Sequence, residues 1–158
     1  REYSQGHEIG SHSFSHPQIT TLTSDEIEYQ FAETEHRIQQ YVPYTTKLVR
    51  PPYGQITQSL KEVLQKTFVL WSIDTQDWKT RDKDAIVSEV LNNVKDGDII
   101  LMHDMYSTTA DACEELIPAL IERGYQLVTV SELLNAKEIT PVAGSVYSRV
   151  LSTGNAAS

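Results

Sequence analysis

At 158 residues, 39% of them hydrophobic, the chain is long enough for one domain with a buried core. A formal net charge of -9 and a pI near 4.9 exclude the clustered Lys and Arg that phosphate binding needs, and so argue against nucleic acid and anionic membrane surfaces. No apolar run approaches membrane-spanning length, and the single cysteine, Cys113, rules out an internal disulfide.

In chain order, Tyr3 to Gly6 reads as a last helical turn with Gly6 as its stop, followed by a short strand, Glu8 to Ser11. Thr23-Ser24-Asp25-Glu26 carries a capping-box pattern, and Ile27, Phe31, Ile38 and Val42 share one face of a helix predicted to run to about Tyr41. Lys47 to Val49 is a strand halted by Pro51-Pro52. Gln58 to Lys66 is a helix, and Thr67 to Ile73 is a strand rich in aromatic and β-branched residues. Asp82 to Val94 makes the next helix. Asp96-Gly97 then turns into Asp98 to Met102, whose apolar run suits a strand covered on both faces.

Thr109 to Arg123 is helical, with Pro118 expected to kink or interrupt it. Cys113 shares helical spacing there with Leu116, Ile117 and Leu120, which makes it a core thiol. Gln126 to Thr129 is the last predicted strand and Ser131 to Asn135 a short helix. Alternating strands and helices predict an α/β fold with parallel strands. Residues 1–136 are assigned to the domain and 137–158, which lose apolar periodicity, to a surface-crossing C-terminal tail with a frayed end. Only five strands are legible, too few to close a barrel. With no initiator Met ahead of Arg1, the chain reads as a processed or excised piece.

Four polar clusters fall just past strands, where the functional rim of a parallel sheet or barrel lies. His12-Ser13-Phe14-Ser15-His16 has an HxxxH spacing that metal sites use. Pro17 biases it toward a tight turn, and alone it reads as two surface histidines. Arg50-Pro51-Pro52-Tyr53-Gly54 is rigid enough to aim an Arg at a carboxylate, though a stiff loop with a solvated Arg reads as well. Asp74-Thr75-Gln76-Asp77-Trp78 places two carboxylates and an indole at a strand end; capping explains one Asp and not both. Leu101-Met102-His103-Asp104 sends a histidine out of the most apolar strand, either as an acid or base or as a satisfied core residue. Joint placement on one rim favours the active-site reading.

In this order, the run Gly6 to His16, Arg50-Pro51-Pro52-Tyr53-Gly54, Asp74-x-x-Asp77-Trp78 and Leu101-x-His103-Asp104 resemble the second to fifth motifs of the NodB-type polysaccharide deacetylases, carbohydrate esterase family 4. The likeness covers about residues 6 to 135 and is nearest to the peptidoglycan N-acetylglucosamine deacetylases of Gram-positive bacteria. It implies a distorted (β/α) barrel, here its C-terminal portion, and an extracellular or cell-surface hydrolase. By resemblance, His12 and His16 hold a divalent metal, usually zinc and sometimes cobalt. Arg50 tunes the catalytic base, and the Tyr53 N–H stabilises the oxyanion. Asp77 tunes His103, the general acid; Leu101 lines the acetyl pocket and Trp78 walls the groove.

The family's first motif, an Asp-Asp pair supplying the base and a third ligand, is absent from the sequence. The expectation is that an upstream segment, as a separate chain packed on the Glu8 to Ser11 side, completes the site. The substrate expected is N-acetylglucosamine in peptidoglycan. The alternatives are acetylxylan or chitin oligosaccharides, or, from another class, a non-catalytic carbohydrate-binding module.

Overall fold

The structure, a computed structural model, describes residues 1–151. The chain folds as two compact units. Among the described residues the first is Arg1–Leu70 with Thr140–Tyr147, and the second is Trp71–Ile139 with Ser148–Leu151.

In the first unit, helix α1 (Ser24–Ile38) begins with the expected capping box, the Thr23 side chain and Glu26 each closing on the other's backbone. It buries Ile27 and Phe31 and stops three residues before the predicted end. Strand β1 (Leu48–Val49) pairs in parallel with β2 (Thr67–Val69), and β2 with β5 (Val146–Tyr147), giving the order β1-β2-β5. All three residues of β2 are buried, as a central strand requires. Helix α2 (Gln58–Leu64) is capped by Thr57 and ends on Gln65 in the left-handed region. The core joins Ile19, Ile27, Phe31, Val49, Leu60 and Phe68, each such side chain contributing about 1.5–3 kcal/mol. The predicted strand at Glu8 to Ser11 is reduced to a single parallel bridge, Ser11 to Val49.

In the second unit, β3 (Ile73–Asp74) pairs in parallel with β4 (Ile100–Leu101). Four helices follow the strands: α3 (Asp77–Thr80), α4 (Lys83–Asn93), α5 (Ser107–Glu122) and α6 (Val130–Ala136). The core packs Ile73 against Ile86, Val87 and Val90 of α4 and Ala112, Leu116 and Leu120 of α5. Gly97 turns the chain into β4 at φ 85, and Val150 N–H donates to its carbonyl at 2.8 Å.

Several expectations need correction. The predicted strand from Thr67 to Ile73 is two strands, because its ladder partner changes. Leu70 N–H bonds the Tyr147 carbonyl, whereas Ser72 N–H bonds that of Ile99. Gln126 to Thr129 forms no strand: Leu127 and Val128 are exposed, and no neighbouring strand among the described residues takes up the backbone groups. Helix α5 runs unbroken through Pro118, since Pro118 and Glu114, whose carbonyl loses its partner, are both exposed to water. Ile117 is likewise exposed, while Cys113 is half-buried with its Sγ 3.7 Å from Met102 Sδ. The supposed tail supplies β5 and a buried Val150; its predicted frayed end from residue 152 lies outside the described residues. Among the described residues no helix is long and apolar enough to cross a membrane.

Candidate active site

The HxxxH run of the first unit is non-helical, with a bend at Phe14 and Ser15. Ser13 and His16 stand at φ 68 and 55, sparsely populated for non-glycine residues and characteristic of functional loops. The His12 and His16 rings lie 5.0 Å apart between centroids at 69°. Two imidazoles bound to one tetrahedral zinc at about 2.05 Å would have centroids about 5.2 Å apart, so the pair fits a shared ion. His12 Nδ1 lies 2.5 Å from the Arg50 carbonyl oxygen, which can only accept; the proton is therefore on Nδ1 and the lone pair on Nε2. No cluster of three or more His, Cys, Asp or Glu side chains placed for a metal occurs among the described residues.

Arg50 leaves β1 just before the two prolines. Its guanidinium donates to the Leu70 carbonyl at 3.2 Å, while Nε is buried with no acceptor among the described residues. Burial lowers its pKa from the ordinary value, yet an arginine remains charged. A buried, charged donor of this kind is suited to a carboxylate. Tyr53 follows in the short turn Pro52–Gly54, itself left-handed at φ 56 and exposed, and its ring meets that of His16 edge-on at 4.7 Å. His12, His16, Arg50 and Tyr53 are thus brought together.

In the second unit Asp77 opens α3, one turn beyond the strand end where it was expected. Its side chain is completely buried. One oxygen accepts from His103 Nδ1 at 2.7 Å and Trp78 N–H at 2.9 Å; the other accepts from His103 N–H at 2.6 Å and Thr109 Oγ1 at 2.9 Å. Burial would raise the Asp77 pKa, but the hydrogen bonds from His103 and Thr109 outweigh it and hold the carboxyl below its usual range. An ionised Asp77 fixes the His103 proton on Nδ1 and leaves the lone pair on Nε2, on a side chain 31% exposed.

Trp78 is half exposed beside this pair. Leu101 is buried at the end of β4, its carbonyl accepting from Thr75 Oγ1 at 2.8 Å. Thr109 was missed in the sequence. The available signal was a polar residue sharing helical spacing with Ala112 and Leu116, a position otherwise apolar. The role of the Arg50 carbonyl had no signal, because any residue supplies that group.

The polysaccharide deacetylase family profile matches residues 1–69. The peptidoglycan-N-acetylmuramic acid deacetylase PdaC of Bacillus subtilis is 44% identical over 138 residues, 87% of this chain and 30% of that protein. Its solved structure covers 86% of this chain and 67% of the solved chain with a TM-score of 0.84. The peptidoglycan-N-acetylglucosamine deacetylase PgdA of Listeria monocytogenes is 36% identical over 137 residues, 87% of this chain and 29% of that protein. A family 4 acetyl xylan esterase from Clostridium thermocellum, solved with a cobalt ion, is 32% identical with a TM-score of 0.88, over 94% of this chain and 75% of that one. The chain belongs to the NodB-type polysaccharide deacetylases of carbohydrate esterase family 4. It spans about 30% of the length of PdaC and of PgdA.

Proposed function

We propose that this chain is the larger part of the catalytic domain of a metal-dependent deacetylase, one that hydrolyses the N-acetyl group of N-acetylglucosamine in cell-wall peptidoglycan and releases acetate at the bacterial, Gram-positive cell surface. The observation that carries the reading is the His12–His16 pair, its rings spaced for one ion and the His12 tautomer fixed by the Arg50 carbonyl. His12 and His16 would hold the divalent ion, zinc by ligand chemistry. When bound, such an ion polarises the amide carbonyl and makes water a stronger acid.

The remaining chemistry belongs to side chains. The Tyr53 N–H donates to the developing oxyanion, a contribution of about 3–4 kcal/mol for a well-aimed donor. His103 Nε2 delivers the proton to the leaving amine while Asp77 holds Nδ1–H. Trp78 stacks against the sugar, and Leu101 faces the acetyl methyl. The third ligand and the catalytic base would be carboxylates supplied from outside the residues described. The buried Arg50 Nε, without an acceptor among the described residues, is the donor that awaits the base.

The test is acetate release from peptidoglycan, chitin oligomers and acetylxylan by the assembled protein, alongside its metal content. Release from peptidoglycan supports the reading. Preference for acetylxylan or chitin oligomers reassigns the substrate. Glycan binding without acetate release would make it a carbohydrate-binding module.

A further inference from the structure

We infer that Gln30, on α1, is the positioning residue that locks the HxxxH loop in its metal-binding shape. The inference rests on the reading of His12 and His16 as metal ligands. Gln30 Oε1 accepts two successive loop amides, Phe14 N–H at 3.0 Å and Ser15 N–H at 2.8 Å, and Nε2 donates to Ser15 Oγ at 2.9 Å. Both amides are donors, so the orientation of the Gln30 carboxamide is fixed. The loop closes on itself where His16 N–H donates to Ser13 Oγ at 3.1 Å. Neighbouring α1 side chains seat it further. The Phe14 ring meets Tyr29 edge-on at 6.4 Å and lies 4.9 Å beneath the Arg37 guanidinium, itself paired with Glu33 at 2.7 Å.

The loop needs such a clamp because two of its residues, Ser13 and His16, sit in the left-handed region without glycine's freedom. Phe14 and Ser15 are exposed, so water would satisfy their amides if Gln30 were lost. The consequence would fall on loop geometry and hardly at all on global stability. The imidazoles would then be gathered at the moment of metal binding instead of beforehand, as happens when a residue orienting a metal ligand is removed.

Gln30→Met keeps the length and helix propensity of the side chain and removes its acceptor and donor. Gln30→Glu keeps both acceptances, and Ser15 Oγ can turn to donate to the second carboxylate oxygen. In the assembled protein, Co2+ titration followed by its visible absorption, with zinc competition, should show affinity falling about 10- to 100-fold in Gln30→Met and staying near wild type in Gln30→Glu. The thermal midpoint should move by no more than a few degrees. Amide hydrogen exchange at Phe14 and Ser15 should quicken in Gln30→Met alone, a readout that needs no metal. Unchanged amide protection in Gln30→Met, or equal loss in both variants, overturns the clamp. Metal retained when both His12 and His16 are alanine overturns the metal reading instead, and the exchange rates then still decide whether Gln30 holds the loop.

Discussion

Asparagine at position 77 tests the most densely bonded side chain of the site. Asp77 receives four donors, and two of them, Trp78 N–H and His103 N–H, are backbone groups that cannot turn. The other two adapt: Thr109 Oγ1 can rotate to accept, and His103 can move its proton to Nε2. An Asn amide offers one oxygen and one NH2. If the NH2 takes the oxygen position shared by His103 N–H and Thr109, it strands the His103 amide. In the opposite orientation it strands the Trp78 amide and reverses the His103 tautomer. Either way one backbone donor next to a fully buried side chain loses its acceptor, costing about 1–3 kcal/mol, and the surviving bonds are no longer charge-assisted. We expect Asp77→Asn to lower stability by about 2–4 kcal/mol at neutral pH, read by urea unfolding.

The pH dependence follows from the direction of the Asp77 shift. Its folded pKa lies below the ordinary 3.8, so its contribution is complete above that value and is lost as pH falls through the folded pKa. The gap between wild type and Asp77→Asn should therefore be full at pH 7 and shrink on acidification below about 3.8. Turnover should drop by roughly two to four orders of magnitude, because His103 loses the carboxylate that fixes its proton on Nδ1. An unchanged unfolding midpoint, or a gap that widens with acid, would refute the account of Asp77 as an ionised, fully bonded anchor.

Three further outcomes are expected. Alanine at His12 or His16 should strip the divalent ion from the assembled protein and abolish turnover; full metal stoichiometry in the double variant, by elemental analysis, would count against the ligand assignment. His103→Ala should lower kcat by about 10²- to 10⁴-fold with metal retained, and near-wild-type acetate release would return His103 to a structural role. Gly97→Ala should cost more than about 2 kcal/mol in an unfolding titration, because it combines the strain of a left-handed Ala with a Cβ placed 1.9 Å from the Val150 carbonyl oxygen.

The site residues were legible for a reason that does not extend to the strands. His12, Arg50, Asp77 and His103 stand in short runs whose composition the local backbone does not require: two histidines in a turn, an Arg before two prolines, a second Asp after a strand. Such departures from local preference survive any error in element boundaries. The start of α1 was legible for a similar reason, since Thr23 with Glu26 carries its cap within four residues of sequence. A strand is a different object, because its existence depends on a neighbour distant in the chain.

Gln126 to Thr129 has strand composition and no ladder among the described residues, whereas Val146 and Tyr147, in a stretch without periodicity, become β5 because β2 offers them an edge. Thr67 to Ile73 reads as one apolar run, yet its backbone bonds pass from Tyr147 to Ile99 within two residues, a change no local pattern encodes. The supporting groups Thr109 and Gln30 fall between these cases. Each is a polar residue on a helix near buried apolar ones, a pattern that does not name the partner. Only tertiary structure assigns Thr109 to Asp77 and Gln30 to the amides of Phe14 and Ser15. In this chain, the residues proposed to perform chemistry were legible because they break local rules, and those that hold them in place were hidden because their reasons lie 15 to 32 residues away.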